Sequence, residues 1–417
     1  MIWRLLALPF ALALLAGPSS AQRPLLRFEL HDGERVEGAV EALDVDGFLI
    51  DTSTGRRRLP GQLVRLVRAA VPRSERPAVR DLVVLAGSAP GRPSGRLWGR
   101  LSGGDDAGLR IELPGGPLLG VPFDVIDRVL PKLHRPQDRL LALADGGFDD
   151  RVWRLAPDGR LDALTGVLAE VDGRGLMLES SLGDLRFDYD EILAVVLAAT
   201  EAPDASALDA APLRGRLRLT DGSLFPVGVL DGDREQLRLL TAFAGEQRFD
   251  WSRLDELLLP DPALANGVLA DTQPTAVEES SPAMPEEPVL FPWQRDLSVG
   301  GAPAALDGVL RASALGVHAD ARLSFAIPPA AQAFRVSVGV ADEARALAAE
   351  ASVEFHLEID GEVVASSGRM RWGDGERVLR IDSLGDAREL SLICDDAGDL
   401  DAADRALFAN PLFLSGG

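Results

Sequence analysis

Four segments of this chain repeat one internal pattern, and the repeat restricts what the N-terminal part can fold into. The segments cover 22–71, 80–131, 150–198 and 212–260. Each opens with a short strand and a turn, continues with a second strand that contains or directly follows a glycine, and adds three more short strands. Five short strands in a segment of this size are typical of small barrels such as SH3-like or Sm-like folds, and the match is one of strand rhythm alone.

A glycine lies in or just before the second strand of every segment: Gly38, Gly99, Gly166 and Gly228. A glycine inside a strand often marks a bulge or a sharp bend, so we expect one at each position. A module of this size buries too little apolar surface to be robust alone. We therefore expect the modules to pack on one another or to pair between chains. They are either structural spacers or surfaces that contact peptide, protein or glycan.

Residues 1–21 have the organisation of a secretory signal. Arg4 precedes an apolar run that ends before Gly17-Pro18, and small residues follow. The apolar run is too short for a spanning helix, and no later segment is long and apolar enough to be one. The sequence therefore predicts a secreted, periplasmic or cell-envelope protein with no transmembrane segment after signal removal, with an uncleaved anchor as the alternative.

Composition narrows the class of partner. The 417 residues carry a net charge of −22, which argues against binding to nucleic acid or anionic lipid, because both need clustered Lys and Arg. The chain has one cysteine, Cys394, so it forms no internal disulfide. Its apolar neighbours predict a buried, inert thiol.

The pattern changes after residue 260. Residues 261–290 are rich in Pro, Glu and Ser and poor in aromatics, which indicates an extended linker. Residues 291–417 contain longer strands with period-two alternation. About eight such strands with long connections suggest a two-sheet jelly-roll sandwich. The predicted fold is therefore all-β: an array of small barrels followed by a β-sandwich.

The C-terminal part resembles a known family. Four pieces match in order: the turn Gly316-Val317-His318-Ala319, the strand around Val338-Gly339-Val340, the hairpin ending at Asp360-Gly361, and an acidic loop before the last strand. Together they are similar to the NPCBM domain, a carbohydrate-binding module. The resemblance implies a galactose-binding-like sandwich, galactose-type sugars as ligands, frequent attachment to glycoside hydrolases and no catalytic activity of the domain itself.

The resemblance directs attention to three ligand-binding candidates. His318 would hydrogen-bond a sugar hydroxyl from the sandwich edge, or else cap a strand end. Trp372 lies in a predicted turn and would stack on a sugar ring. Asp342 stands where the family has paired aspartates. The acidic loop departs from the family, since its His and Trp are replaced here by Ala402 and Arg405, which would remove the ligand site and leave the fold.

The acidic loop is also a candidate calcium site. Five carboxylates lie within ten residues, and calcium takes six to eight oxygen ligands. Their spacing does not fit an EF-hand, and a solvated acidic loop is the alternative. The five residues are Asp395, Asp396, Asp399, Asp401 and Asp404.

Known catalytic signatures are absent from the sequence, and the repeats and the sandwich leave no room for a large catalytic domain. The leading interpretation is an exported, non-catalytic carbohydrate-binding protein. The alternative is a structural or assembly protein of the cell envelope that contacts envelope proteins and no longer binds sugar. An unrecognised hydrolase is a third, more distant interpretation.

Overall fold

The computed structural model describes most of the chain as strands. The described residues are 23–71, 80–86, 94–105, 107–133, 149–156, 160–198, 201, 203–261, 263–264, 267–280, 291–347, 351–398 and 404–415. Within these ranges the regular elements are β-strands and short 3-10 helices. No helix there is long and apolar enough to cross a membrane. The predicted signal at 1–21 lies outside the described residues.

The four repeats form four modules of five strands each. The first module contains β1 (Leu26–Leu30), β2 (Arg35–Asp44), β3 (Gly47–Thr52), β4 (Gly55–Leu59) and β5 (Val64–Ala69). The second contains β6 (Arg80–Leu85), β7 (Gly95–Asp105), β8 (Gly108–Glu112), β9 (Leu118–Pro122) and β10 (Ile126–Leu133). The third contains β11 (Asp150–Leu155), β12 (Leu161–Val171), β13 (Gly175–Ser180), β14 (Gly183–Asp188) and β15 (Ala194–Val196). The fourth contains β16 (Leu213–Leu219), β17 (Leu224–Gly232), β18 (Gln236–Thr241), β19 (Gly245–Asp250) and β20 (Leu254–Leu258).

Every module uses the same pairing scheme. Its first strand pairs with its second and its fifth, and the second, third and fourth strands pair in succession. In the second module, for example, β6 pairs with both β7 and β10. No pairing between a fourth and a fifth strand occurs in the described part of any module. The sheets are therefore not closed barrels, which corrects that part of the prediction.

The glycines of the second strands confirm the predicted bulges. The register of β2 shifts between Val40 and Ala42, just after Gly38, and β12 shifts between Leu168 and Glu170, just after Gly166. At this point the strand leaves its first partner and pairs with its second. A Cβ on Gly166 would lie 2.2 Å from the carbonyl oxygen of Glu179. Only glycine allows the two backbones to approach so closely.

The fifth strands join the modules in nested pairs. β5 of the first module pairs with β20 of the fourth, and β10 of the second pairs with β15 of the third. A single contact of β17 with β7 connects the two pairs, and a contact of β17 with β2 adds to the joining of the first and fourth modules. The modules thus share one hydrogen-bonded network and one apolar core. Edge-to-edge pairing covers strand edges that separate modules would leave open.

The remaining strands form the C-terminal sandwich. In chain order they are β21 (Ala276–Glu279), β22 (Gln294–Arg295), β23 (Ala305–Leu306), β24 (Val309–Leu310), β25 (Ala314–His318), β26 (Ala321–Ala326), β27 (Ala333–Val340), β28 (Ser352–Ile359), β29 (Glu362–Arg371), β30 (Arg377–Ile381), β31 (Glu389–Asp395) and β32 (Arg405–Leu414). The first sheet has the order β21-β26-β31-β28-β29, and the second has the order β22-β25-β32-β27-β30. Phe355 and Phe408 meet edge to face between the two sheets at 5.1 Å. The predicted two-sheet sandwich is confirmed.

The predicted linker over 261–290 is wrong for its described residues. Strand β21 pairs with β26 along its whole length, and Val268 bridges Leu412. A 3-10 helix, Leu269–Asp271, packs against the sandwich core. The segment lacks an amphipathic pattern because β21 is an edge strand with three exposed residues. Residues 281–290 lie outside the described residues.

The modules and the sandwich share a buried ionic interface. Glu256 on β20 is completely buried and accepts hydrogen bonds from the Ala312 amide, at 2.8 Å, and from Asn410 Nδ2, at 2.8 Å. Arg311 of the sandwich lies 3.3 Å from the Glu256 carboxylate. None of these contacts involves the first sheet of the sandwich. These contacts fix the second sheet on the modules without involving a described strand of the first sheet.

Glu376 completes this interface and makes it sensitive to acid. Its carboxylate accepts hydrogen bonds from Arg68, at 2.7 Å, and from Arg311, at 2.9 Å. Burial alone would raise the pKa of Glu376, but the two guanidinium groups lower it to about 2. The charged carboxylate therefore stabilises the fold above the unfolded-state pKa, and this contribution is lost as the pH falls towards 2.

We predict that Glu376→Gln makes the free energy of unfolding less dependent on pH in the acidic range. Between pH 4.5 and 2, the unfolding free energy of the wild type should fall by about 3 kcal/mol more than that of the variant. Denaturant titrations at several pH values measure this difference. Glu112→Gln, which changes an exposed ion pair in the second module, is the control and should follow the wild type. Equal pH dependence of Glu376→Gln and the wild type would contradict the prediction.

Candidate functional site

One end of the sandwich carries all the described candidate residues. Strand pairing places the following partners at this end: His318 with Arg405, Val340 with Ala406, Ser352 with Arg371, Glu354 with Asp395, and Glu279 with Ala321. We call this end the rim. The acidic loop connects β31 to β32 here, and the turn that contains Trp372 connects β29 to β30.

His318 is a half-buried residue at the end of β25. Its ring stacks on Phe291, with the centroids 5.6 Å apart, and Arg405 lies 5.0 Å from the centroid of the same phenyl ring. Its Nδ1 lies 2.6 Å from the Ala319 carbonyl oxygen, which indicates that Nδ1 carries the proton. Nε2 is then left as a hydrogen-bond acceptor, so both a packing role and a ligand contact agree with this geometry.

Trp372 and Asp342 have different surroundings from His318. Trp372 is 45% exposed, and the guanidinium of Arg345 lies 5.7 Å from its ring centroid. It directly follows β29, an edge strand of the first sheet, in a turn that leads to β30, which is three strands away from β25 in the second sheet, or about 14 Å at the usual strand spacing. A single sugar ring is too short to contact both His318 and Trp372. Asp342 accepts a hydrogen bond from the Gly308 amide at 2.8 Å and so stabilises the backbone.

Each described aspartate of the acidic loop accepts a hydrogen bond from a different backbone amide. Asp395 accepts a hydrogen bond from the Ala397 amide, Asp396 from the Gly398 amide, and the buried Asp404 from the Ser352 amide. Asp399 and Asp401 lie outside the described residues. The calcium site over all five aspartates stays a prediction.

Cys394 is a buried free thiol on β31, as the sequence predicts. Burial raises the pKa of this thiol, and the charges of Asp404, Asp395 and Asp320 raise it further. The thiol therefore stays protonated at neutral pH and is a poor nucleophile and metal ligand.

An open groove of about 900 Å³ lies at the rim beside the first sheet. Its walls come from the end of β21, the start of β26 and the end of β31. The polar side chains that line it are Glu278, Glu279, Ser280, Asp320, Arg322, Glu354, Asp395 and Asp396. Arg322 is held in place by two hydrogen bonds to Glu358, at 2.6 and 2.7 Å. The groove therefore presents many hydrogen-bond acceptors and one fixed planar donor.

Residues 275–414 match the family model of the NPCBM/NEW2 domain. This NPCBM match includes β21, so it begins before the predicted boundary at 291. It confirms the resemblance inferred from the sequence for about the last third of the chain.

Solved structures similar to the chain include CBM51 modules. One is the CBM51 of a Clostridium perfringens GH95 in complex with methyl-galactose, with 21% identity over 35% of this chain and 98% of the other, and a TM-score of 0.31. Another contains CBM51-2 of C. perfringens ZmpB in complex with GlcNAc, with 19% identity over 43% and 36% of the two chains and a TM-score of 0.32. Tandem CBM51 modules of a Streptococcus pneumoniae family 98 glycoside hydrolase match with 12% identity over 64% and 88%, and a TM-score of 0.30. Comparison with curated proteins gave no match.

One cluster in the NPCBM-matching domain was not predicted from the sequence. His356 Nε2 lies 2.9 Å from an Asp395 oxygen and 4.0 Å from a Glu354 oxygen. The alternation of β28 places Glu354 and His356 on the same face, which is visible in the sequence. Asp395 joins them only through the register between β28 and β31, which the sequence does not reveal.

Proposed function

We propose that the protein is an exported, non-catalytic carbohydrate-binding protein whose ligand lies in the groove at the rim. The family match over 275–414 supports a carbohydrate-binding module. The N-terminal pattern of residues 1–21 supports export. The nested modules would serve as a rigid base, because the buried interface holds the second sheet and the groove lies beside the first sheet.

The groove is the observation that carries this proposal. Its volume of about 900 Å³ is within the range of small-molecule sites. Sugar hydroxyls are both donors and acceptors, and carboxylates together with a fixed guanidinium bind them with charge-assisted hydrogen bonds. Asp320 and Asp396 would accept from hydroxyls, and Arg322 would donate to them. His318 Nε2 is a further acceptor at the neighbouring strand end.

We expect Asp320→Ala and Asp396→Ala each to weaken binding of a methyl galactoside by about tenfold, because each removes a charged acceptor. A galactoside is the first probe because the family resemblance implies galactose-type ligands. Affinity of the wild type should be roughly millimolar, as a single polar site without a large stacking surface provides little free energy. Titration of the full chain by NMR or calorimetry measures it.

The control for this experiment is Glu362→Ala. Glu362 is an exposed carboxylate in the hairpin at the opposite end of the first sheet, so its loss should leave the affinity unchanged. Binding that persists in both groove variants would contradict the groove as the site. Absence of binding across a panel of galactosides and other hexosides would contradict carbohydrate recognition.

A structural or assembly role in the cell envelope is the second candidate. It is favoured by exposed apolar side chains on the third module, where Leu155 and Val167 are 58% and 59% exposed and Leu182 is 77% exposed. Exposed apolar side chains promote association with another surface where they form a continuous patch. Self-association in sedimentation experiments, together with no retained glycan, would favour this role over the first.

A further inference from the structure

We propose that Glu354, His356 and Asp395 form a binding site for a divalent transition-metal ion, with Zn²⁺ as the best match to these donors. One ligand atom from each residue lies within 4.8 Å of the other two. Donor atoms around a tetrahedral Zn²⁺ are roughly 3.4 Å apart, given metal–ligand distances of about 2.1 Å. The observed separations of 2.9 and 4.0 Å lie on either side of this value.

The sheet holds these three side chains on one face. Glu354 and His356 are two residues apart on β28, and Asp395 is directly opposite Glu354 on β31. Both strands lie inside the first sheet, with neighbours on either side. The three donors therefore start from a rigid base, and small side-chain rotations suffice to bring them to coordination distance.

Hydrogen bonds from neighbouring groups orient the two carboxylates. Ser366 Oγ donates to Glu354 Oε1 at 2.5 Å, and the Ala397 amide donates to Asp395 Oδ1 at 3.0 Å. Asp395 keeps its other oxygen for His356. Contacts of this kind commonly fix the ligands of metal sites.

The chemistry of the donors selects the metal. An imidazole nitrogen with two carboxylate oxygens suits Zn²⁺ and its first-row neighbours, whereas calcium favours six to eight oxygen ligands. Three protein ligands leave coordination positions open, and Glu354 and Asp395 both line the groove. The open positions would therefore face the groove. This site differs from the predicted calcium site, with which it shares only Asp395, and it does not depend on carbohydrate binding.

The test is a titration of Zn²⁺ into the tag-free full chain after treatment with EDTA and desalting. We expect one site in calorimetry, and a Co²⁺ visible spectrum that Zn²⁺ abolishes. His356→Gln, Glu354→Gln and Asp395→Asn should each weaken Zn²⁺ binding at least tenfold. His31→Gln, which removes an imidazole from the first module, should bind like the wild type.

Circular dichroism and metal-free melting temperatures show whether each variant is folded. If one variant does not fold, the other two still decide the question. Failure of the wild type to bind Zn²⁺ would overturn the proposal. So would equal Zn²⁺ affinity of the wild type and the three variants, or binding of Ca²⁺ that exceeds binding of Zn²⁺ and survives in His356→Gln.

Discussion

Glu256→Ala is expected to lower the free energy of unfolding by about 3–5 kcal/mol, because it leaves buried partners without their acceptor. Glu256 is 0% exposed and receives hydrogen bonds from the Ala312 amide and Asn410. Arg311 is 1% exposed and keeps Glu376 as its remaining carboxylate partner. The substitution removes one buried charge. It leaves the Ala312 amide and the Asn410 side chain without this acceptor in a region that water does not reach.

The same substitution should also separate the unfolding of the modules from that of the sandwich. Glu256 lies on β20, whereas its three partners belong to the sandwich, so it contributes directly to the coupling of the two parts. We expect calorimetry of the wild type to show a single transition and that of Glu256→Ala to show two. Glu246→Ala, which breaks an exposed pair with Arg238 on the fourth module, should cost less than about 1 kcal/mol. Similar effects of the two substitutions would refute the proposed role of Glu256.

Asp296→Ala should lower the free energy of unfolding as much as Glu256→Ala does, since three buried arginines surround the Asp296 carboxylate. Its side chain accepts from Arg216 at 2.6 Å, and Arg96 and Arg218 are close enough to act on its charge. Burial opposes ionisation, but these arginines keep the pKa of Asp296 below its ordinary value. Arg218 donates to three carbonyl oxygens and is completely buried. We expect a loss of about 3–5 kcal/mol in Asp296→Ala.

Asp296→Asn removes the negative charge of the side chain and keeps its size and shape. Asp296 has a φ of 58°, a conformation that asparagine accepts more readily than alanine does. An asparagine also keeps the hydrogen bond from the Ala314 amide. Its unfolding free energy should therefore lie between those of the wild type and Asp296→Ala in urea titrations. Asp162→Ala, which breaks an exposed pair with Arg154, is the reference for a weak ion pair. If Asp296→Ala is no worse than this reference, the three arginines do not depend on Asp296.

The repeat and its bulges could be predicted because they depend on local signals. Glycine inside a strand and turn residues between strands act within a few positions of one another. The pairing of β5 with β20 could not be predicted, since backbone hydrogen bonds do not depend on side-chain identity. Both strands are fully buried and carry charged residues among apolar ones, a pattern that β10 also has, so the sequence alone does not single out one partner.

The candidate site was predicted in part for a similar reason. The family resemblance led to His318 and to the acidic loop, and both lie at the rim. The cluster of Glu354, His356 and Asp395 depends on the register of two strands about 40 residues apart, which no local pattern specifies. The edge strand β21 was missed because exposure on three of its four residues removes the alternation that marks a strand.

The nesting of the first module with the fourth has a consequence for how the chain reaches its native state. The edge of β5 can pair with β20 only after residues 254–258 have been synthesised, nearly 200 positions later. Until then a newly made chain exposes an unpaired strand edge to any neighbouring chain. Contacts so distant along the chain slow folding, because a long loop must close before they contribute. The first strands to be synthesised are therefore among the last to be completed, and a holding chaperone would benefit this chain during that interval.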